Sequence, residues 1–359
     1  MRITFVLPNV SLSGGIKIVL EYAEFLRLQG HDVICFCPAP RRRSWNERLR
    51  ALLRGGGPIE VDPASSHLWG KGVSIYRSRH PGAASMEDIP DADIVVATWW
   101  ETAEWIASLP PAKGVKCHFI QDHEIFPGQP VERVRAIYGS NLSKITVSAW
   151  LKEILKSEYG SDDVVLIPNG IQTDRFRADQ RTAERRLNVG HLWTCTPRKN
   201  SMMALRAMEI ARRDLPELRG LFFGGDPYPV ELRDIDWIEY VRTPPQNEIP
   251  ALYAQCRCWL FSSITEGFGL PLLEALASGT PVIATRAGAA PDLIDGTNGR
   301  LIDCTAEAMA AAIIEIARMP EPDWQAMSNR AGLVALGHDW LQSARKFEEA
   351  LQGIAARIN

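Results

Sequence analysis

The chain has 359 residues, 46% of them apolar and 23% charged, with a formal net charge of -3. That length exceeds one ordinary hydrophobic core and suits two domains, while the small net charge argues against a nucleic-acid partner held by bulk electrostatics. No run approaches the ~20 apolar residues of a membrane-spanning helix, and the opening MRITFVLPNV is too short, and lacks the cleavage site, for a secretory signal.

In chain order, RITFVLP reads as a buried strand and GGIKIVLEYAEFLRLQG as an amphipathic helix. Ile16, Val19, Leu20, Ala23 and Leu26 share one face of that helix, and Gly30 stops it. HDVICFCP is the next strand. RRRSWNERLRALLRGGG follows, with Arg41, Arg42, Arg43, Arg48, Arg50 and Arg54 beside Trp45, Leu49, Leu52 and Leu53. As a helix it would have an apolar and a basic side, suiting an anionic membrane surface or a lipid diphosphate acceptor. The alternative is a solvated loop helix. Basic and acidic residues balance over residues 1–168, so this segment is a local feature. ADIVVAT, KCHFIQ, KITVSA and DVVLIP are further strands alternating with helical patterns, as βαβ units require.

Asn169-Gly170 is a turn signal between the two halves. Residues 1–170 are read as the first Rossmann-like domain and 171–338 as the second, with strands GHLWTCT, RGLFFGGD, DWIEYV, CRCWLFSS and TPVIAT separated by helices such as SMMALRAMEIARRD and EIPALYAQ. Residues 339–359 form a last helix, with Trp340, Leu341, Ala344, Phe347 and Leu351 near one face, that would pack back on the first domain. The expected fold is α/β: two doubly wound domains facing across a cleft, with ligands beyond the carboxyl ends of the strands.

The stretch SSITEGFGLPLLEALASGTPVIAT carries the chemistry. Glu266 falls in a glycine-bearing loop after an apolar strand, and Glu274 about one turn inside the following helix. Pro271 suits the first helical position. Gly267 and Phe268 complete the loop, and amides near Gly269, Leu270 and Leu272 would face outward at the positive end of the helix dipole, ready for a phosphate. Carboxylates accept hydrogen bonds from vicinal diols, so Glu266 is expected at the hydroxyls of a transferred sugar and Glu274 at a ribose. The plainer alternative is a solvated loop acid and a helix cap.

This stretch resembles the E-x7-E signature of the GT-B glycosyltransferases of family 4, a retaining family that uses nucleotide sugars. PNGI at Pro168 to Ile171 and the Gly14-Gly15 pair match its other landmarks. The resemblance implies a donor-diphosphate lysine in the loop after the second domain's first strand, with an arginine five residues earlier. In TCTPRKNSM, Lys199 fits the lysine, Thr194 stands where the arginine would, and Arg198 supplies a second cation that forks onto phosphate. Asn200-Ser201 reads as a helix cap. Gly225, in FFGGDP, allows close approach of the donor, and VRTPPQNEI is expected beside the base.

In the first half, Gly14 and Gly15 let backbone amides approach the donor, although an ordinary loop reads equally well. KCHFIQDHEIFPG delivers Gln121, Asp122, His123 and Glu124 to a strand end. Family members carry a histidine near the position of Gln121, so either Gln121 or His123 takes its place here, with His118 upstream; Asp122 and His123 are expected to act at the substrate, with a structural cluster as the alternative. FIQDHEIF and ATWWETA are similar to family members that transfer rhamnose in bacterial surface polysaccharides. Thr98, Trp99, Trp100 and Glu101 are expected on the acceptor side, the indoles stacking on sugar rings.

The expected reaction moves a sugar from a nucleoside diphosphate to a hydroxyl of a glycan or lipid-linked glycan, with retention. Lys199 and Arg198 would stabilise the leaving diphosphate, with no metal or other cofactor. Alternatives are a non-catalytic nucleotide-sugar-binding partner protein and a sugar-nucleotide epimerase of the same fold. The seven cysteines read as buried free thiols rather than zinc ligands, which places the protein in the reducing cytoplasm, at the inner face of the plasma membrane if the basic segment binds lipid.

Overall fold

A computed structural model describes residues 1–9, 14–39, 72–176 and 187–358. The basic segment Arg41 to Arg54 lies outside the described residues. The chain divides into two compact units: Met1–Val147, Lys152–Ile167 and Ala344–Asn359 in the first, Ser148–Leu151 and Pro168–Ser343 in the second.

The first unit is built on seven parallel strands, β1 (Arg2–Val6), β2 (Asp32–Cys37), β3 (Ser74–Arg77), β4 (Ile94–Ala97), β5 (Val115–Ile120), β6 (Ser143–Thr146) and β7 (Val164–Leu166), in the order 3-2-1-4-5-6-7. Helices α1 (Gly14–Leu28), α2 (Trp100–Ala107), α3 (Val131–Tyr138) and α4 (Ala149–Ser157) connect them, although the first three residues of α4, Ala149 to Leu151, belong to the second unit. Parallel strands covered on both faces need apolar side chains at every position. Accordingly, Ile94 to Ala97 are all buried. The edge strand β3, SIYR, is exposed at all four residues and carries no such run, which is why the sequence does not announce it. The buried face of α1 includes Ile16, Val19, Leu20, Ala23 and Leu26, as their spacing predicts. Tyr22 of α1 stacks on Phe347 of the C-terminal helix at 4.2 Å between ring centroids. Phe347 also stacks on Phe5 and meets Phe119 edge-on. An aromatic cluster of this kind is worth more than its buried area alone.

The second unit has six parallel strands, β8 (Asn188–Leu192), β9 (Arg219–Gly224), β10 (Ile238–Arg242), β11 (Cys258–Phe261), β12 (Val282–Thr285) and β13 (Gly299–Ile302), in the order 10-9-8-11-12-13. Its helices are α5 (Ser201–Ala211), α6 (Ile249–Ala254), α7 (Leu270–Ala277), α8 (Ala290–Leu293), α9 (Ala306–Arg318) and α10 (Glu321–Leu336); α11 (Trp340–Ala355) follows. Strand β8 ends earlier than GHLWTCT suggests. Trp193 still donates to Phe223 O, but the amide of Cys195 is taken by the Asp226 carboxylate at 2.7 Å, which turns the chain out of the sheet. Five cysteines are buried free thiols; Cys195 and Cys304 are exposed, because each falls in a loop beyond its strand.

The strand order reverses between β1 and β4 in one sheet and between β8 and β11 in the other. At such switch points the loops diverge and leave room for a ligand at the carboxyl ends. In the second sheet the loops concerned hold Lys199 and Glu266.

Two histidines tie stability to pH. His118 on β5 is fully buried with neither ring nitrogen hydrogen-bonded, and burial pushes its pKa down to about 3. His191 on β8 is pushed down to about 4 by burial, opposed by the Leu260 carbonyl near its Nδ1. Both stay neutral when folded, whereas the unfolded chain takes up protons near 6.5. Their contribution is therefore intact above 6.5 and is lost as pH falls toward those values, at about 1.4 kcal/mol per pH unit for each. Urea titrations between pH 7.5 and 5 should show stability falling, and less steeply in His118→Leu. Parallel pH profiles would contradict this assignment.

Candidate active site

The loop after β8 runs from Trp193 into a single 3-10 turn, Pro197–Lys199, and α5 begins directly after it. Ser201 Oγ holds Thr194 from within α5, accepting from its amide and donating to its carbonyl at 3.1 Å each. Asn200 occupies the N-cap position in a left-handed conformation (φ 54°) and makes no side-chain cap bond. Its amide nitrogen instead faces Met203 Sδ and Cys304 Sγ. The expected cap is thus a backbone turn, and Ser201 anchors the preceding loop.

The loop after β11 is stitched to this turn. Ile264 N donates to Arg198 O at 2.7 Å and Ser262 Oγ to Lys199 O at 2.8 Å. These bonds bring Glu266 onto the cations. Glu266 is only 5% exposed, so its charge needs partners. Lys199 Nζ donates to its Oε1, Ser263 Oγ donates to the same oxygen at 2.8 Å, and the Arg198 guanidinium stands 3.8 Å from Oε2. Glu266 is a buried, paired carboxylate, not a solvated loop acid. Two cations against one carboxylate leave one positive charge, and the start of α7 adds about half a charge. Thr194 spends its hydroxyl on Thr196; the second cation is Arg198, as its place in the loop suggests.

Gly269 starts α7 at φ 99°, with Pro271 in the first turn. No other residue type fits there, because a Cβ would lie 2.7 Å from the Phe261 ring. The first amides of a helix have no partner within it, and that holds for Gly269 and Leu270. Leu272 departs from expectation: its amide turns inward to Gly269 O at 3.0 Å. Glu274 is half-buried and accepts from Tyr253 OH at 2.8 Å. Among the described residues Tyr253 is its side-chain partner, and the carboxylate does not cap its own helix. Gly225 is exposed, with open space where a Cβ would stand. Thr243, in the loop after β10, holds a positive φ of 49° and donates to Gly224 O.

Sequence reasoning missed Ser148 and Trp150, which belong to the second unit. Ser148 Oγ (2.6 Å) and Trp150 Nε1 (3.0 Å) both donate to Gly267 O. Their only signal is a serine and a tryptophan just past the apolar run KITV.

In the first unit, Gly15 packs against the Gln121 amide, 3.4 Å from where its Cβ would be, and Gly14 is open. Asp122 Oδ1 accepts from the His123 amide. His123 itself is turned into an aromatic cluster: Nε2 pairs with Tyr159 OH at 2.8 Å and the ring stacks on Tyr138. Burial lowers its pKa, against Glu158 and with Arg135. Glu124 is fully buried and accepts from the Trp100 amide at 2.7 Å; burial raises its pKa well above the usual range. Trp100 is 4% exposed, lies in the apolar core, and donates its indole N–H to Gln129. It presents no face to a sugar, contrary to expectation. Trp99 is half-buried and stacks on Phe126, and Glu101 is half-exposed in the first turn of α2.

The descriptions "Glycosyltransferase Family 4" and "Glycosyl transferases group 1" match residues 12–175 and 184–319. The GDP-mannose-dependent alpha-(1-6)-phosphatidylinositol monomannoside mannosyltransferase of Mycolicibacterium smegmatis is 32% identical over 342 residues, covering 86% of each chain. HepE of Anabaena in complex with UDP-glucose superposes with a TM-score of 0.76 at 17% identity, over 98% of this chain and 100% of that one. Sucrose-phosphate synthase of Thermosynechococcus elongatus gives 0.75 at 18%, over 99% of both. These likenesses establish the GT-B fold. The chain belongs to the family 4 glycosyltransferases, enzymes that move a sugar from a nucleotide sugar. The mycobacterial relative is a mannosyltransferase, so it lends no support to the rhamnose expected from the QDHE stretch.

Gly269→Ala should place a side chain in a left-handed conformation against Phe261, costing roughly 1–3 kcal/mol. Thermal unfolding should register that loss. An unchanged midpoint would show that the loop is free to move.

Proposed function

We propose that the chain is a retaining, metal-independent mannosyltransferase that uses GDP-mannose and acts on a glycan or lipid-linked glycan acceptor. The carrying observation is the grouping of Lys199, Arg198 and Glu266 at the switch point of the second sheet. The donor diphosphate lies against Lys199, Arg198 and the amides at the start of α7, which face it with net positive charge. Glu266 Oε2 accepts from hydroxyls of the mannose, while its Oε1 stays with Ser263. Glu274, held by Tyr253, accepts from the ribose. As the sugar–phosphate bond breaks, the positive groups stabilise the leaving diphosphate, and a leaving phosphate oxygen takes the acceptor hydroxyl proton on the same face, so configuration is retained. Lys199 and Arg198 supply the neutralisation that a metal ion would otherwise give the diphosphate. Trp99 and Glu101 remain the acceptor-side candidates and Asp122 and His123 the candidates at the reacting sugar, and no helix among the described residues is long and apolar enough to cross a membrane.

The mannose choice draws on the mycobacterial relative. Thr194, where the resemblance asks for arginine, favours a second reading in which the protein binds a nucleotide sugar without turning it over.

A thermal-shift screen of GDP-, UDP- and ADP-sugars should single out GDP-mannose. Lys199→Ala and Glu266→Ala should each lower donor turnover by roughly 100- to 1,000-fold, and turnover should survive excess chelator. Activity abolished by chelator and restored only by a divalent cation would remove the metal-free account. Binding with no transfer or hydrolysis would favour the second reading.

A further inference from the structure

The Gly267–Phe268 peptide is held more firmly than its loop position requires. Its carbonyl accepts two side-chain donors, Ser148 Oγ at 2.6 Å and Trp150 Nε1 at 3.0 Å, which fill both lone pairs. Ser148 is 2% exposed, so its hydroxyl is committed to this bond. The next carbonyl, Phe268 O, accepts from Ala289 N at 2.8 Å, and the Phe268 side chain is buried. Gly288 closes over the same carbonyl: at φ 59°, its Cβ would stand 2.5 Å from Phe268 O.

A trans peptide is planar, with its N–H pointing opposite to its C=O. Fixing Gly267 O toward Ser148 and Trp150 therefore aims the Phe268 N–H the other way. That amide makes no hydrogen bond among the described residues. An amide without a protein acceptor is left for water or a ligand. This one sits between Glu266, with its Lys199 partner, and the first turn of α7.

We propose that Ser148 and Trp150 are positioning residues for the donor. They hold the Gly267 carbonyl with two hydrogen bonds so that the Phe268 N–H is presented to the donor's β-phosphate, and neither touches the donor itself. This rests on the reading of the Lys199–Glu266 loop as the donor site. A carbonyl held by one donor would let the peptide plane rotate, and the amide would then point away from the phosphate for part of the time. The arrangement thus trades two side-chain donors for one preorganised amide.

Ser148→Ala removes one donor, and Trp150→Phe removes the other while keeping an aromatic ring. Ser148→Thr keeps the hydroxyl. Binding of GDP, UDP and ADP is measured by calorimetry, the tightest is carried forward, and steady-state donor hydrolysis is followed alongside. Each of Ser148→Ala and Trp150→Phe should weaken nucleotide binding by roughly 5- to 10-fold and raise the donor KM more than it changes kcat. Ser148→Thr should restore binding, and the melting temperature without nucleotide should hold. If both variants bind nucleotide as the wild type does while Lys199→Ala loses it, the donor site stands and the positioning role falls. The positioning role falls likewise if only the melting temperature drops. If Lys199→Ala also binds normally, or the wild type binds none of the three, the donor site itself is wrong and this proposal falls with it.

Discussion

A buried carboxylate that must be paired organises the second unit. Glu266 is 5% exposed, and Lys199, Ser263 and the nearby Arg198 supply the partners that a buried carboxylate requires. Satisfying it draws the loop after β8 against the loop after β11, and two further bonds, from Ile264 N and Ser262 Oγ, hold the backbones there. The cations then outnumber the acid beside a helix start, which is the charge a diphosphate needs. Removing Lys199 would leave a buried charge half-compensated as well as an anion site one cation short, so structure and chemistry share one pair.

The parts of this arrangement that depend on local chain chemistry were legible in the sequence. Gly269 before Leu270-Pro271 signals a tight turn into a helix, and φ 99° at Gly269 bears that reading out. Apolar runs such as IVVA and CWLF are continuous because both faces of each sheet are covered. The alternation of such runs with helical patterns identified two doubly wound domains, and the family likeness to GT-B glycosyltransferases agrees.

What could not be read depends on contacts between residues far apart in sequence. Trp100 looks like a sugar platform beside Trp99, yet the β4–α2 junction sends one indole into the core and leaves the other half-buried. His123 sits in a motif suggestive of chemistry, but Tyr159, 36 residues on, claims its Nε2. Ser148 and Trp150 reach Gly267 across more than a hundred residues. Strand β3 escaped notice because an exposed edge strand carries no apolar run.

The most direct test of the central claim is a crystal structure with a 2-fluoro nucleotide sugar that binds but is not transferred. The account predicts its β-phosphate within hydrogen-bond reach of Lys199 Nζ and of the amides leading into α7, with sugar hydroxyls on Glu266. An ordered nucleotide lodged elsewhere, with the Lys199–Glu266 pair untouched, would contradict it.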